Sequence, residues 1–265
     1  MDVALGATMR ALSMPATFRL DGRCALVTGA GRGLGQAMAI ALAEAGADVA
    51  GVYVTDIDET RARIEAAGRR FSAIRQDLRD SAAARRVVEQ AVAAMGRLDI
   101  LINNAGIIRR ADAIDFTEAD WDDVIAVNLK SVFFLAQAAA RQFLAQGSGG
   151  KIVNIASVLS FEGGIRVASY TASKGGVLGL TRILANEWAA KGINVNAIAP
   201  GYMATANTAP LRADPARNAA ILGRIPAGRW GQPEDLAGAV VFLCSSASNY
   251  VHGSAIVVDG GWLAR

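Results

Sequence analysis

The sequence is short of the residues from which metal sites and disulfides are built. Its 265 residues include one histidine, His252, and two cysteines, Cys24 and Cys244. This set excludes the usual zinc spacings, the HExxH helix and any CxxC pair. Both thiols lie in apolar segments far apart in the chain. We therefore expect no metal site and two buried free cysteines in a reducing cytoplasm.

An excess of charge of one sign is also missing. Lysine and arginine number 27 against 24 acidic residues. The arginine-dense stretch 61–86 is interrupted by three carboxylates, and Phe71 is its only aromatic residue. Binding to nucleic acid would require a patch of one sign with stacking rings. We predict no nucleic-acid partner.

No continuous apolar run is long enough to span a membrane. The longest uncharged stretch, residues 236–258, is interrupted by SSASNY and then by His252, which predicts a helix, a turn and a strand. Residues 1–17 carry one arginine beside a short apolar run, which is weak for a secretory signal. We expect a flexible N-terminal extension over residues 1–17 and one domain over residues 18–265, with no membrane partner.

What the chain does contain is an alternation of strand-length apolar runs with helical stretches. The predicted strands are residues 24–28, 48–54, 71–76, 100–103, 151–156, 193–199 and 255–258. These runs are continuously apolar, which is typical of strands covered on both faces. The pattern predicts an α/β fold: a single-domain, Rossmann-type, doubly wound parallel sheet of about seven strands with helices on both faces.

Two helical stretches and one connection stand out from this pattern. Residues 132–144 and 168–185 are apolar or small nearly all the way round, so we expect a second subunit to cover their outer faces. Residues 201–231 contain three prolines and are predicted to be a long irregular connection that acts as a binding loop or lid.

A glycine-rich turn follows the first strand. The sequence TGAGRGLG at residues 28–35 leads directly into an apolar helix, so its backbone amides can approach a phosphate at the helix N-terminus. The glycines Gly29, Gly33 and Gly35 do not fit GxGxxG, and no GK[ST] follows. The turn predicts a pyrophosphate site and leaves the nucleotide open.

The turn and the motifs after it resemble the short-chain dehydrogenase/reductase superfamily. Its TGxxxGxG pattern is matched at residues 28–35, and there follow in order NNAG at 103–106, Asn128, Ser157, the YxxxK pair Tyr170 and Lys174, and PGxxxT at 200–205. The resemblance covers residues 20–265. It implies hydride transfer between a nicotinamide and a secondary alcohol, with Tyr170 taking the hydroxyl proton.

The residues themselves are compatible with that chemistry. Tyr170 and Lys174 are four positions apart and share a helix face, where an ammonium would lower the pKa of the phenol. Ser157 follows a strand and could hydrogen-bond the reacting oxygen, and Asn128 could hold a water that links Lys174 to solvent. Taken singly, each could be a surface pair or a helix cap. The resemblance implies that these four are catalytic.

The resemblance also implies the residues that bind the cofactor. Lys174 would hold the nicotinamide ribose, Thr205 the carboxamide, Asp77 the adenine and Asn103 the adenosine side. The full expected set is Gly29, Arg32, Gly33, Leu34, Gly35, Asp77, Leu78, Asn103, Ala105, Gly106, Tyr170, Lys174, Pro200, Gly201 and Thr205.

The choice between NAD and NADP depends on the end of the second strand. The acid that NAD enzymes place there falls on Tyr53, and Arg32 in the glycine turn indicates a 2′-phosphate. Val54 and Thr55 offer no second base. We predict NAD, with NADP as the alternative.

Several stretches indicate the substrate class. NNAGIIRRADA at 103–113, GGIRVASYTASK at 163–174 and the ending DGGWLAR are similar to 2-dehydro-3-deoxy-D-gluconate 5-dehydrogenases, also called 2-deoxy-D-gluconate 3-dehydrogenases, followed by gluconate 5-dehydrogenases. Arg109, Arg110 and Arg166 flank the expected site, and a guanidinium binds a carboxylate bidentately. We predict Arg109, Arg166 and Tyr202 as contacts to a sugar acid; surface salt bridges are the alternative for each arginine.

Other functions stay open at this point. A 3-oxoacyl reductase on the same scaffold or a non-catalytic dinucleotide sensor would share the fold. A sensor would be expected to lack the tyrosine or the lysine, and both are present. The resemblance further implies a homotetramer, in which Trp262 and Arg265 reach a neighbouring subunit's site.

Overall fold

The computed structural model describes residues 15–80 and 82–265. Most of the predicted N-terminal extension lies outside these residues. At its end, Ala16–Phe18 forms a 3₁₀ turn. Phe18 packs on Phe242 with ring centroids 6.3 Å apart, and the Ser246 hydroxyl donates to the Thr17 carbonyl. The chain is therefore already in contact with the domain before residue 18.

Seven parallel strands form one sheet. They are β1 (Cys24–Thr28), β2 (Asp48–Tyr53), β3 (Phe71–Arg75), β4 (Ile100–Asn103), β5 (Gly150–Ile155), β6 (Ile193–Pro200) and β7 (Ala255–Val258). Their order is β3-β2-β1-β4-β5-β6-β7, with parallel pairing throughout. The predicted parallel α/β fold is confirmed. Each predicted strand end lies within one residue of the observed end, a difference as small as that between two methods of assigning secondary structure.

Helices cover both faces of the sheet. They are α1 (Gly33–Glu44), α2 (Asp58–Ala66), α3 (Ala83–Met95), α4 (Glu118–Ile125), α5 (Ser131–Gln146), α6 (Ala168–Trp188), α7 (Ala209–Ala213), α8 (Pro215–Arg224) and α9 (Ala237–Cys244). One core lies between the sheet and α1 and α9, and a second lies between the sheet and α3, α5 and α6. The strands are apolar on both sides because both sides are packed.

One long helical segment has the length and composition of a membrane span. It runs over Glu118–Gln146, through α4, a π-helical turn at Ala126–Lys130 and α5, and half of its apolar window is buried inside the protein. Length and composition alone are weak indications, because a core helix passes the same test. The stretch 236–258 forms α9, a 3₁₀ turn and β7, as predicted.

The strand order predicts a ligand crevice beyond the carboxyl ends of the central strands. From β1 the chain builds outward to β3, and it then returns to add β4 on the other side of β1. In such sheets, ligands bind where the order reverses, beyond the carboxyl ends of the strands. β1, β4, β5 and β6 end there, and the loops that follow them carry most of the predicted site residues.

Residues 201–231, which we call the lid, are more regular than predicted. They contain a 3₁₀ turn at Ala206–Thr208 and then α7 and α8. Pro215 stands in the first turn of α8, where a missing amide proton costs nothing. The Asp214 side chain accepts from the backbone amides of Ala216 and Arg217. The prediction of an irregular loop is wrong because two of the three prolines, Pro210 and Pro215, begin helices instead of interrupting them.

Candidate active site

The glycine turn after β1 is too tightly packed to hold other residues. A Cβ on Gly35 would lie 2.1 Å from the carbonyl oxygen of Gly29, and one on Gly31 would lie 2.1 Å from that of Asp56. Gly33 has a φ of +57°, a conformation that favours glycine. The first amides of α1 have no partner within the helix. The turn therefore fits a pyrophosphate, which backbone amides and the helix dipole would hold.

The loop after β4 is fastened to this turn. The Thr28 hydroxyl accepts from the amides of Asn104 (2.9 Å) and Ala105 (3.0 Å). The Asn104 side chain donates to the carbonyls of Thr28 (2.8 Å) and Gly29 (3.3 Å). Thr28 and Asn104 were not predicted as site residues, although each stands at or just beyond a strand's carboxyl end. They hold Ala105 and Gly106 at the crevice.

The start of the lid faces the glycine turn from across the crevice. The Thr205 methyl lies 3.7 Å from the point where a Cβ of Gly33 would stand. Pro200 ends β6, and a Cβ on Gly201 would lie 2.7 Å from the Cβ of Asp259. Thr205 is thus placed to contact a dinucleotide bound at the turn, while Gly201 allows close packing behind it.

Three of the predicted cofactor residues have side chains engaged elsewhere. The Asn103 side chain is buried and donates to the Asn154 oxygen at 2.9 Å, across the β4–β5 pair. Leu78 lies in the core. Both Asp77 oxygens accept from the Arg79 guanidinium, and this hydrogen bonding lowers the Asp77 pKa. Cofactor contacts by these residues remain predictions.

Ser157 is held by a short turn immediately beyond β5. Its hydroxyl accepts from the Leu159 amide at 3.1 Å, and its own amide donates to the Ser160 hydroxyl. Ser160 in turn donates to the backbone carbonyl of Lys174 at 2.7 Å. The turn therefore fixes Ser157 relative to the helix that carries Tyr170 and Lys174.

Tyr170 and Lys174 share one face of α6, as their spacing predicts. The Lys174 ammonium donates to the Ile155 carbonyl at 2.5 Å and lies 5.6 Å from the centroid of the Tyr170 ring. Lys174 is 5% exposed. The ammonium is thereby anchored at the end of β5, near the Tyr170 ring and two residues before Ser157 in the chain.

The predicted direction of the Tyr170 pKa shift is wrong. Burial raises the pKa of Tyr170, because the phenolate loses solvation; the hydrogen bond with Ser157 and the charge of Arg110 lower it by less. Burial also lowers the pKa of Lys174 to about 8. Sequence spacing shows which groups are neighbours, whereas desolvation depends on the folded environment.

Asn128 lies in the π-helical turn between α4 and α5. Its side chain is fully buried; its oxygen accepts from the Ile107 amide, and its nitrogen donates to the Ile107 carbonyl, both at 2.9 Å. The nitrogen also donates to Ser173 at 3.3 Å. Single π turns inside helices are frequent at functional sites. In this structure the Asn128 side chain orders the loop after β4 against α6, and the water that we predicted beside it remains a prediction.

The three arginines near the site differ in their partners. Arg109 bridges Asp120 (3.2 Å) and Asp123 (2.8 Å), and Arg166 pairs with Asp112 at 3.0 Å. Arg110 donates to the Asn207 carbonyl in the lid at 3.0 Å, and its charge acts on Tyr170. Within residues 15–80 and 82–265, no carboxylate lies at salt-bridge distance from Arg110. Arg110, left out of the predicted contacts, is therefore the arginine available to an anionic ligand.

Tyr202, near the start of the lid, lies in an aromatic cluster with Trp230 and Trp262. Its ring centroid is 4.5 Å from that of Trp262 and 5.7 Å from that of Trp230. Burial raises its pKa. Trp262 is 4% exposed within its own chain. The cluster packs against Val158, the residue next to Ser157. A contact between Tyr202 and the substrate remains a prediction.

The sequence matches a known protein family over most of its length. The family model described as enoyl-(acyl carrier protein) reductase covers residues 29–263. The chain belongs to the short-chain dehydrogenase/reductase superfamily. This confirms the resemblance drawn from the motifs, and with it the assignment as an oxidoreductase.

Sugar-acid enzymes are among the relatives of this dehydrogenase. It is 62% identical over 249 residues to the 2-dehydro-3-deoxy-D-gluconate 5-dehydrogenase of Dickeya dadantii, covering 94% of this chain and 98% of that one. It is 45% identical to the gluconate 5-dehydrogenase of Gluconobacter oxydans, over 94% and 98%. A solved structure from Agrobacterium tumefaciens, provisionally named a 2-deoxy-D-gluconate 3-dehydrogenase and with NADP bound, is 59% identical, with a TM-score of 0.89 over 95% of this chain and 100% of that one.

Proposed function

We propose that this dehydrogenase transfers hydride between a nicotinamide cofactor and a secondary alcohol or ketone of a sugar acid, as a 2-dehydro-3-deoxy-D-gluconate 5-dehydrogenase. The observation that carries the substrate class is Arg110: a guanidinium without a carboxylate partner in the described part of the chain, whose charge acts on the partly buried phenol of Tyr170. The relative from Dickeya dadantii supports the particular substrate.

The residues of the site have distinct tasks in this reaction. The glycine turn and Thr205 would hold a nicotinamide cofactor, which would supply the hydride chemistry. Tyr170 takes the proton from the substrate hydroxyl during oxidation and returns it during reduction. Ser157 hydrogen-bonds the reacting oxygen, and Lys174 places a positive charge beside the phenol. Arg110 binds the carboxylate of the sugar acid and so sets which carbon lies next to Tyr170.

The substrate is tested by following reduced nicotinamide with purified protein. We expect turnover with 2-dehydro-3-deoxy-D-gluconate in the presence of NAD or NADP, and lower kcat/KM with gluconate. A higher kcat/KM for gluconate would assign the activity of the Gluconobacter relative instead. Activity only with a 3-oxoacyl thioester would favour the reductase alternative, and cofactor binding without turnover on any alcohol would favour a sensor.

We propose that both NAD and NADP are accepted and that Arg32 sets their ratio. The sequence predicts NAD, with NADP as the alternative. Arg32 is exposed at the start of α1, next to the turn that fits the pyrophosphate, and no acid ends β2. The Asp56 carboxylate, farther along, accepts from the Asp58 amide. The NADP in the Agrobacterium tumefaciens structure agrees with this arrangement.

Replacing Arg32 by Ala is therefore expected to weaken the binding of NADPH more than the binding of NADH. We expect roughly a tenfold rise in the Kd of NADPH, because a charge-assisted hydrogen bond to the 2′-phosphate is lost, and less than a twofold change for NADH. Fluorescence titration of the reduced cofactors measures both. Arg61→Ala, on the neighbouring α2, is the matched control. Equal losses for the two cofactors would contradict this role of Arg32.

We also propose a cytoplasmic homo-oligomer, with a tetramer as the expected state. Phe134 and Leu144 on α5 and Ile183 on α6 are between 37% and 48% exposed, on the helices that we predicted to be too apolar for the sheet alone to cover. Cys24 and Cys244 are buried and unpaired, which agrees with a reducing compartment.

Sedimentation velocity is expected to show an oligomer at micromolar concentration. The double variant Phe134→Glu/Ile183→Glu should dissociate, because its charges would be buried at the contact. Ile114→Glu, at a residue 94% exposed on a different surface, is the control and should leave the assembly intact. A wild-type chain that sediments as a stable monomer would refute the proposed assembly.

A further inference from the structure

A closed group of three side chains joins the lid to the chain segment that follows Ser157. The Glu162 carboxylate accepts from the Arg224 guanidinium at 2.7 Å and from the Trp262 indole nitrogen at 2.5 Å. The Arg224 guanidinium also lies 3.9 Å from the centroid of the Trp262 ring. We call Glu162, Arg224 and Trp262 the latch. Each of its members contacts the other two.

The latch is only partly exposed, so water screens it less than it screens a surface pair. The Glu162 side chain is 21% exposed and that of Arg224 is 45% exposed, while Trp262 is 4% exposed. A charge-assisted hydrogen bond and a cation lying over an indole ring reinforce one another here. Such a contact holds a geometry better than an isolated surface salt bridge does.

The position of the latch couples the lid to the reacting centre. Arg224 is the last residue of α8, whereas the amide of Glu162 donates to the carbonyl of Val158, the residue next to Ser157. Val158 packs with Ile221 and Ile225 in one buried cluster. Helix α8 therefore lies directly on the turn that orients Ser157.

Two further contacts hold the same helix from the other parts of the chain. The Trp230 indole nitrogen donates to Asn218 in α8 at 2.7 Å, and Arg265 donates to the Gly223 carbonyl at 3.0 Å. The resemblance implied that Trp262 and Arg265 reach a neighbouring subunit. In the structure both contact α8 of their own chain.

We propose that Glu162 is a positioning residue: through Arg224 and Trp262 it holds α8 over the substrate side of the crevice and thereby sets the affinity for the sugar acid. Glu162 touches neither the phenol nor the glycine turn, so its effect on catalysis is indirect. For its kinetic consequence this inference rests on the proposed function.

The variant Glu162→Gln tests the latch, because it removes the charge and keeps the size. We expect roughly a fivefold rise in the KM of the sugar acid, with kcat changed less than twofold and the cofactor Kd unchanged. Arg224→Lys, which keeps a positive charge, should retain most of the affinity. The KM of Glu162→Gln/Arg224→Met should be no higher than that of Arg224→Met alone, because both substitutions remove the same contact.

Limited trypsin digestion tests the latch in the absence of substrate. Cleavage after Arg212 and Arg217 in the lid should be several-fold faster in Glu162→Gln than in the wild type, at an unchanged thermal midpoint. Glu89→Gln is the matched control, because it removes a carboxylate from a 2.7 Å arginine pair on α3, away from the lid.

The two readouts separate the possible failures. Faster lid cleavage with no turnover of any sugar acid would retain the latch and reject the proposed function. Wild-type cleavage together with a wild-type KM in Glu162→Gln would overturn the latch. A fall in kcat as large as the rise in KM, together with a lowered thermal midpoint, would also overturn the latch. That result would indicate a general structural role for Glu162.

Discussion

The variant Tyr170→Phe is expected to lose about 10³-fold in kcat while it binds the cofactor with unchanged affinity. The substitution removes only the hydroxyl, which is the group that exchanges a proton with the substrate. The ring stays in place near Lys174. Steady-state kinetics together with titration of reduced cofactor separate the chemical step from binding.

The pH dependence of this variant gives a second, independent readout. Oxidation requires the phenolate, and burial raises the pKa of Tyr170, so the wild-type rate of oxidation should increase from neutral towards alkaline pH. Reduction requires the phenol, so its rate should fall over the same range. The residual activity of Tyr170→Phe should lack this dependence.

The control for Tyr170→Phe is Tyr250→Phe, because the Tyr250 side chain is fully exposed. It should keep the wild-type rate and the same pH profile. Retention of more than a tenth of the wild-type kcat in Tyr170→Phe would assign the proton transfer to another group.

The sheet could be predicted closely from the sequence because its strands are buried on both faces. Such strands are short, continuously apolar runs between turn residues, and this pattern needs no knowledge of distant contacts. The lid could not be predicted in this way. Its helices α7 and α8 are short, and Ile221 is the only buried residue in these two helices. With a single buried residue, the hydrophobic periodicity of these segments is too weak to distinguish a helix from a loop.

The site was predictable where it depends on local spacing. The glycine turn and the shared face of Tyr170 and Lys174 follow from neighbouring positions in the chain. The buried position of Asn103 also had a local signal, because side chains alternate along β4 and its neighbour Asn104 takes the side that faces the turn. The roles taken from the motif alone did not make this distinction.

The site was not predictable where it depends on tertiary partners. Arg109 and Arg110 are adjacent and identical in type, yet only Arg109 meets the two carboxylates that α4 presents, Asp120 and Asp123. Spacing alone does not reveal which of two neighbouring arginines turns toward another helix. The pKa of Tyr170 has the same origin, since burial is a property of the completed fold.

The substitution Arg110→Met is expected to raise the KM of the sugar acid by about 50-fold. A buried or partly buried carboxylate that loses a bidentate, charge-assisted partner loses up to two strong hydrogen bonds. The cofactor Kd should stay unchanged, because Asn104 and Ala105, and not Arg110, make this loop's contacts to the glycine turn. Initial rates over a wide range of substrate concentration measure the effect.

Two controls distinguish a carboxylate site from a simple loosening of the lid. Arg110 also donates to the Asn207 carbonyl, so its removal changes a lid contact as well. A neutral secondary alcohol has no carboxylate. If Arg110 acts only through the lid, the KM of this alcohol should rise in Arg110→Met as much as the KM of the acid does. If Arg110 binds the carboxylate, the variant should lose affinity for the acid alone.

The adjacent arginine supplies the matched variant. Arg109→Met removes the same charge one residue away, but Arg109 is already paired with Asp120 and Asp123, so the KM of the acid should change less than threefold. The opposite result, a large effect in Arg109→Met and none in Arg110→Met, would mean that substrate binding breaks those ion pairs. The carboxylate site would then include Arg109, as predicted from the sequence, and Arg110 would carry no part of it.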